Sequence, residues 1–255
     1  MIRFARSLAL IVLGVTGFCS AQQLTIAAAA DLEGVLPEIT AQFQKQTGIN
    51  AKVSFGSSGN FFMQIRNGAP FDIFFSADID YPKELEAEGL IETGSLYEYA
   101  TGKIVIWALK DSMLDLSQGL KIFLDPKISK IAIANPEHAP YGRAAVAALK
   151  QDNLYDNISK KLVLGENISQ TASFVVSGAA NVGILAMSLA RTPAMQQKGK
   201  YRDIPSSDYP PIEQAVVILK SSSQKDNAHR FMQYLKSEPV TSLLKEYGFS
   251  VPASN

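Results

Sequence analysis

Cysteine and histidine are scarce in this chain of 255 residues. The single cysteine, Cys19, lies near the N-terminus, so no disulfide can form within the chain and its apolar core must hold the fold. A protein metal site needs clustered histidine, cysteine or carboxylate ligands, and the two histidines, His138 and His229, belong to no such cluster in the sequence. The sequence therefore predicts neither a disulfide scaffold nor a metal centre built from side chains.

An excess of charge of either sign is also missing. The chain has 24 basic and 24 acidic residues, and no block of like charge interrupts it. A protein that binds nucleic acid or an anionic membrane surface usually shows a basic patch. Beyond the N-terminal segment no apolar run is long enough to span a bilayer. These absences disfavour nucleic acid and membrane as partners.

The N-terminal segment has the layout of a secretory signal peptide. Arg3 and Arg6 form a basic start, residues 7–18 are apolar and uncharged, and residues 19–21 are small. We expect cleavage after Ala21, which leaves 234 residues with 22 basic and 24 acidic side chains. A lipid anchor on Cys19 stays open, although the preceding residue, Phe18, is bulky for such a site. The mature chain is long enough for one large domain or two lobes.

After Gln23, short β-like runs alternate with amphipathic helical stretches. The run "LTIAAA" reads as a strand, and the stretch after it places Leu32, Val35, Leu36, Ile39 and Phe43 on one helical face. Two further helices are predicted to close the chain, from about 226 to 236 and from about 239 to 247. This alternation predicts an α/β fold with mostly parallel sheets.

Four junctions between a strand and a helix are made of small or hydroxyl residues. In open α/β sheets, ligands bind outside the carboxyl ends of strands, where unpaired N–H groups at helix starts favour anions. Each junction taken alone could be an ordinary turn or a capped helix start. The junctions are Ala28–Asp31, Phe55–Asn60, Asn135–Arg143 and Glu166–Gln170.

The same junctions carry a resemblance to a known family. The stretches "AAAADLEGVLPEITAQFQKQTG", "FGSSGNFFMQIRNGAPFDIFFSAD", "IANPEHAPYGRAA" and "LLKEYGF" resemble the periplasmic molybdate-binding proteins of ABC uptake systems. The resemblance covers essentially the whole mature chain. It implies a type II "Venus flytrap" of two lobes with two hinge crossings, which we place in "GKIVIWAL" and "IEQAVVILK". The implied lobes are residues 22–102 plus 213–255, and residues 103–212.

The resemblance also implies a function. The chain is expected to capture molybdate, and tungstate with it, in the cleft between the lobes and to deliver it to an ABC permease. It is expected to be a periplasmic monomer that has no catalytic activity and needs no cofactor. The family holds its dianion mainly through main-chain N–H groups and neutral hydroxyls, so the only metal expected is the one inside the oxyanion.

Six positions match the ligand-binding residues of the family. The Asp31 and Ile168 contacts are expected through main-chain N–H groups. The full set is Ala30, Asp31, Ser57, Ser58, Tyr141 and Ile168. Many members have a tyrosine that contacts the anion just after the strand matching "VGIL", where this chain has Ala186. We expect the Tyr141 phenol to replace it.

Asp31 is a second departure, because many members have Ser, or Thr-Asn, around this junction. A carboxylate facing a dianion in a water-poor cleft would be repelled. We therefore expect the Asp31 side chain to turn towards its own helix as the N-cap. Only its N–H, together with that of Ala30, would then face the ligand.

Two alternatives remain open from the sequence. The first is a binding protein for another oxyanion, such as sulfate or thiosulfate, or for a small carboxylate. The second is an exported serine hydrolase that uses Ser58 with Asp31 or His138. The sequence does not rank molybdate against tungstate, because the two ions are nearly the same size.

Overall fold

The computed structural model describes residues 23–252 of the chain. The predicted signal peptide, 1–21, and with it Cys19, lies outside the described residues. The ten strands of the described part form two five-stranded sheets. The first sheet, in the order β2-β1-β3-β10-β4, contains β1 (Gln23–Ala29), β2 (Asn50–Gly56), β3 (Ile73–Ser76), β4 (Tyr97–Gly102) and β10 (Ile212–Ile218). The second, in the order β7-β6-β8-β5-β9, contains β5 (Ile104–Leu109), β6 (Ile131–Ala134), β7 (Leu162–Gly165), β8 (Val182–Ala186) and β9 (Gly199–Asp203).

Helices flank each sheet, so the molecule has two α/β lobes. The helices beside the first sheet are α1 (Leu36–Thr47), α2 (Ser58–Arg66), α3 (Asp80–Ala87), α9 (Lys225–Leu235) and α10 (Glu238–Glu246). The helices beside the second are α4 (Pro140–Gln151), α5 (Tyr155–Ile158), α6 (Ile168–Val176), α7 (Met187–Ala190) and α8 (Pro193–Lys198). Short 3₁₀ turns lie at Ala30–Leu32, Leu116–Leu124, Ser159–Lys161 and Ser206–Asp208. No helix within residues 23–252 is both long and apolar enough to cross a membrane.

The chain passes twice between the lobes. β4 ends at Gly102 in the first sheet and β5 begins at Ile104 in the second, while the return runs from the end of β9 to Ile212 at the start of β10. Gly102 and Ile212 are register partners, so the two crossings lie side by side. Two adjacent crossings are the structural basis of a hinge. The lobe boundaries at 102/103 and 212/213 stay a proposal.

The sheets are mixed, and the prediction of mostly parallel sheets is wrong. In each sheet two strand pairs are parallel and two are antiparallel. The antiparallel pairs all involve β10 or β5, the strands that enter a lobe from the hinge. The sequence pattern did not predict β4, β7 and β9, because these three strands lie at sheet edges and are only partly buried.

The segment after β1 is predicted well except at its start. Leu32, Val35, Leu36 and Phe43 are fully buried, as the helical face requires, and Gly48 ends α1 with a φ of 74°. Glycine adopts this left-handed conformation without strain. The regular helix begins only at Leu36, since the residues that follow β1 form a separate 3₁₀ turn. That turn decides where the Asp31 side chain points.

Candidate functional site

The four junctions predicted from the sequence meet at one place between the lobes. They line one small cavity. β1 and β2 bring the first two junctions from one lobe, and the starts of α4 and α6 bring the others from the second lobe. All six predicted residues are on its wall, which is formed by Ala29, Ala30, Asp31, Gly56, Ser57, Ser58, Ala77, Ala139, Pro140, Tyr141, Asn167 and Ile168.

Three helices present free main-chain N–H groups to this cavity. Ser58 and Ile168 are the first residues of α2 and α6, and Tyr141 is the second residue of α4. Within the described residues, no group accepts a hydrogen bond from these three N–H groups. The N-terminal end of a helix also carries partial positive charge. The cavity therefore offers three converging donors to an anion.

The local sequence explains why these N–H groups stay free. The side chain of Asn167 caps α6 and accepts hydrogen bonds from the N–H groups of Ser169 and Gln170, which leaves that of Ile168 unused. Ser57 caps α2 in the same way through the N–H of residue 60. In both helices the cap uses the later N–H groups of the first turn and leaves the first one for a ligand.

The hydroxyl of Ser58 adds a further donor. Ser58 is fully buried, and its Oγ accepts a hydrogen bond of 2.9 Å from the N–H of Ala77. This bond holds the oxygen in place and uses only acceptor capacity. The hydroxyl hydrogen is therefore available to an oxygen-rich ligand in the cavity.

Asp31 is fully buried, and the prediction that its side chain caps its own helix is wrong. Asp31 lies inside the 3₁₀ turn, Ala29 occupies the N-cap position, and no side-chain capping bond forms. The carboxylate oxygen Oδ2 instead accepts hydrogen bonds from the Tyr141 phenol, at 2.9 Å, and from the Gln214 amide, at 2.7 Å. The turn aims the carboxylate towards the hinge strands rather than along the helix.

Gln214 and Tyr99 complete a buried network that the sequence pattern did not predict. The Tyr99 hydroxyl donates to Oε1 of Gln214 at 2.5 Å, and Nε2 of Gln214 lies 3.0 Å from the Tyr141 hydroxyl oxygen. Gln214 is fully buried in β10, where it follows the exposed Glu213 and precedes the buried apolar run 215–218. A glutamine at an inward-facing position of a strand was the signal that could have revealed it.

Gly102 leaves the room that this network needs. A Cβ atom at this position would overlap the Tyr141 hydroxyl oxygen and would lie 2.8 Å from Nε2 of Gln214. Residue 102 also ends β4 at the first crossing. The network and the hinge therefore occupy the same place in the fold.

The expected role of the Tyr141 phenol does not agree with this geometry. A phenol has one hydrogen, and that of Tyr141 is donated to Asp31. Tyr141 still reaches the cavity, where its main-chain N–H is free. The geometry thus favours the main chain of Tyr141, rather than its phenol, as a donor.

Burial dominates the electrostatics of Asp31. Desolvation raises its pKa from 3.8 to about 6, against the hydrogen bonds from Gln214 and Tyr141, which lower it. Burial also raises the pKa of Tyr141 and of Tyr99 well above 10, with Asp31 as a second cause, so both phenols stay neutral. The second carboxylate oxygen of Asp31, Oδ1, is buried and has no hydrogen-bond partner within residues 23–252.

The raised pKa of Asp31 predicts how the ligand-free protein responds to pH. Between pH 3.8 and about 6 the unfolded chain has lost this proton while the folded protein keeps it. Since the folded state then binds more protons, its stability falls as pH rises through this window and levels off above it. A shift of this size corresponds to roughly 3 kcal/mol.

We therefore expect Asp31→Asn to stabilise the ligand-free protein increasingly from pH 4 to pH 7. The asparagine side chain does not ionise, so the difference in unfolding free energy between the two proteins should grow by about 3 kcal/mol across this range. Urea unfolding at four pH values measures it. A difference that stays constant with pH would contradict the assignment of the raised pKa to Asp31.

No lysine or arginine is among the residues that line the cavity. The nearby cation, Arg143 of α4, is paired with Asp78 and also donates to the Tyr81 hydroxyl at 3.3 Å. Nor does any group of three or more metal-binding side chains occur in the part of the chain that the structure describes. An anion in this cavity would be held by neutral donors.

Hydrogen bonds between the lobes surround the cavity, so the structure is a closed form. The N–H of Gly59 donates to the carbonyl of His138 at 3.0 Å, and Asn60 donates to Glu166 at 2.6 Å. The Ser188 hydroxyl donates to the carbonyl of Asp31 at 2.7 Å. Ser169 also donates to Glu33, at 2.5 Å.

The geometry gives no support to a serine hydrolase. Oγ of Ser58 has no base beside it, since its contact is the N–H of Ala77. His138 Nδ1 lies 3.1 Å from Ser57 Oγ instead, and its Nε2 is 3.6 Å from Glu166, which is longer than a hydrogen bond. These side chains link the two lobes rather than activate a nucleophile.

Comparison with known proteins places the chain in a family. The family model described as "bacterial extracellular solute-binding protein" matches residues 24–250. The chain belongs to this family. Its members are extracellular binding proteins, which agrees with the expectation that the chain is not an enzyme.

Individual relatives are similar over nearly their whole length. The chain is 37% identical to the molybdate-binding protein ModA of Azotobacter vinelandii, over 91% of this chain and 92% of that protein. It is 35% identical to ModA of Rhodobacter capsulatus, over 96% and 94%. The solved structure of the A. vinelandii periplasmic molybdate-binding protein superposes with a TM-score of 0.85 at 36% identity and covers 90% of this chain and 99% of that one.

These comparisons confirm two predictions from the sequence. The resemblance to periplasmic molybdate-binding proteins holds over more than nine-tenths of the chain. The two-lobe periplasmic binding protein fold with two crossings is confirmed by the superposition and by the two sheets.

Proposed function

We propose that this protein captures molybdate, and tungstate with it, in the cavity between its lobes and delivers it to an ABC permease. Residues 1–21 would direct its export to the periplasm, and the protein would work there as a monomer. The names of its relatives and the family support this proposal. The observation that carries it is the convergence of free N–H groups and a serine hydroxyl on a cavity without cations.

We assign the donors from both lobes. The hydroxyl and N–H of Ser58 and the N–H of Asp31 would come from the first lobe, with Ala30 and Ser57 completing the wall. The N–H groups of Tyr141 and Ile168 would come from the second. A ligand that needs donors from both lobes stabilises the closed form, because only that form brings the donors together.

Neutral donors suit a protein that must both bind and release its ligand. Fixed N–H dipoles in a closed cleft stabilise an anion strongly, because little water screens them. They also need little reorganisation when the ligand arrives. No ion pair between ligand and protein then has to be broken at the permease.

Selectivity against sulfate would come from size, because sulfate shares the charge and tetrahedral shape of molybdate. A cavity built for the longer metal–oxygen bonds holds sulfate too loosely for every donor to reach it. Binding of sulfate or thiosulfate in preference to molybdate is therefore the alternative that a ligand panel separates.

The test is thermal unfolding of the mature protein, stripped of ligand, with molybdate, tungstate, sulfate, thiosulfate, phosphate or no addition. A ligand at about a thousand times its dissociation constant stabilises the folded state by roughly 4 kcal/mol. We expect molybdate and tungstate to raise the melting temperature by roughly 8–16 °C and sulfate to leave it unchanged. A rise with sulfate or thiosulfate alone would keep the fold and reject the ligand.

Ser58→Ala is the matched variant for the same panel, with Ser223→Ala as its control. Ser58 is buried at the cavity, whereas Ser223 is exposed and far from it in sequence. Loss of one hydrogen bond to a charged ligand should weaken molybdate binding roughly ten- to a hundredfold. Equal binding by the two variants would remove Ser58 from the site.

A further inference from the structure

Asp31 is a wall residue of the proposed oxyanion site and has an unpaired carboxylate oxygen. Oδ1 is buried and has no hydrogen-bond partner within the described residues. Asp31 is also one of the residues that line the cavity. A buried polar atom without a partner is costly, and an ionised oxygen beside a dianion would be more so. The cavity is the place from which a partner for this oxygen can come.

We propose that Asp31 carries a proton on Oδ1 when the oxyanion is bound and donates it to an oxygen of the ligand, so that capture takes up one proton from solvent. This inference rests on the proposed function. One ionised carboxylate, one proton from solvent and one dianion combine into a single complex. The only covalent bond that forms is the O–H bond on Oδ1, and no covalent bond breaks in the protein. Asp31 thereby acts as a further neutral donor, in keeping with the rest of the site.

The hydrogen-bond network determines which oxygen takes the proton. Oδ2 already accepts from Tyr141, at 2.9 Å, and from Gln214, at 2.7 Å. Gln214 is itself oriented by the Tyr99 hydroxyl, which donates to its Oε1 and so leaves Nε2 to face Asp31. Two donors therefore hold Oδ2 as an acceptor, and Oδ1 is the oxygen left to bear hydrogen.

No cation is among the groups that shift the pKa of Asp31, so only hydrogen bonds from Gln214, Tyr141 and its own main chain stabilise the ionised carboxylate. The titratable groups are Tyr141 of α4 and Tyr99 of β4, both neutral, and Glu33 on its own segment, whose charge raises the pKa of Asp31. Gln214 of β10 and Ser188 of α7 are uncharged. β2 and α6 also pack against this turn, and none of their charged side chains shifts the pKa of Asp31.

In the protein without ligand, burial raises the pKa of Asp31 to about 6 even against the hydrogen bonds from Gln214 and Tyr141. An adjacent dianion raises it further, because like charges oppose ionisation. At pH 7.5 Asp31 is therefore largely ionised in the free protein and protonated in the complex. By linkage, the dissociation constant for molybdate should increase by up to about tenfold per pH unit between pH 7 and 8.5.

Isothermal titration calorimetry with molybdate tests the inference. Titrations at pH 7.5 in two buffers of different ionisation enthalpy give the number of protons exchanged, and titrations from pH 6 to 8.5 give the affinity profile. We expect uptake of close to one proton by the native protein. Asp31→Asn should bind with no proton uptake and a flat profile, because its amide Nδ2–H₂ group replaces the Oδ1 proton as donor.

Glu38→Gln is the matched control, since Glu38 is an exposed carboxylate of α1 that neither lines the cavity nor shifts the pKa of Asp31. This variant should keep both the proton uptake and the pH profile. Thermal unfolding of each variant without ligand checks that it folds. The proton count of the native protein decides the question even if a variant does not fold.

Three results would overturn the inference. Tight binding by the native protein with less than about half a proton taken up would show that Asp31 stays ionised. Proton uptake that persists in Asp31→Asn would assign the proton to another group. Absence of molybdate binding at every pH, including pH 6, would reject the proposed function, and the inference with it.

Discussion

Gly59→Ala is expected to weaken molybdate binding about a hundredfold without destabilising the ligand-free protein. Gly59 is the second residue of α2, and its N–H donates to the carbonyl of His138 across the cleft. A Cβ atom here would lie 2.7 Å from that carbonyl oxygen and 3.0 Å from Cα of the same residue. Since these atoms belong to the opposite lobe, the added methyl group obstructs closure.

The open form should tolerate the same methyl group. In the same lobe its near contact is the Tyr81 hydroxyl, at 2.8 Å, which is the end of a side chain and can move. Alanine also has a higher helix propensity than glycine, by about 1 kcal/mol. The substitution thus penalises only the closed form, and apparent affinity falls with the population of that form.

Calorimetry measures the loss of molybdate affinity, and thermal unfolding without ligand measures the stability of the free protein. Gln64→Ala, on the exposed face of the same helix, is the matched control and should change neither. A hundredfold loss corresponds to about 2.7 kcal/mol. If Gly59→Ala binds as tightly as the native protein, the closed structure is not the form that holds the ligand.

Trp107→Ala is expected to lower the free energy of unfolding by about 3–5 kcal/mol. Trp107 lies in β5, between β8 and β9, and is fully buried. Its ring packs against the backbone of Gly199, where a Cβ atom would overlap Cζ2 of the indole. Truncation leaves a cavity that the surrounding sheet cannot fill, which is the costliest kind of core substitution.

Trp107→Phe should cost much less and is the control. The indole Nε1 is buried and has no hydrogen-bond partner within the described residues, so phenylalanine removes an unsatisfied donor while it keeps most of the ring. Urea unfolding followed by circular dichroism measures both variants, because Trp107 is the only tryptophan and its fluorescence is lost. Equal losses for alanine and phenylalanine would contradict this reading of the core.

The sequence by itself determined the parts of the site that depend on local chemistry. Ser57 and Asn167 cap the helices that follow them, and the caps leave the first N–H groups free whatever the rest of the chain does. The alanines before Asp31 keep the end of β1 small. Because the carboxyl ends of parallel strands meet at one edge of a sheet, the four junctions and their six residues could be selected from local pattern and the family resemblance.

Only the tertiary structure decided where the polar side chains between these junctions point. The Asp31 carboxylate meets Tyr141 and Gln214, which are 110 and 183 residues away in the chain. No local pattern predicts such a contact, so the capping role expected for Asp31 and the ligand contact expected for the Tyr141 phenol both depended on neighbours that the sequence did not show. The antiparallel strands have the same origin, because hinge crossings set their direction. Local hydrogen bonding fixes where donors can be, whereas packing between distant segments fixes which charges and hydroxyls face them.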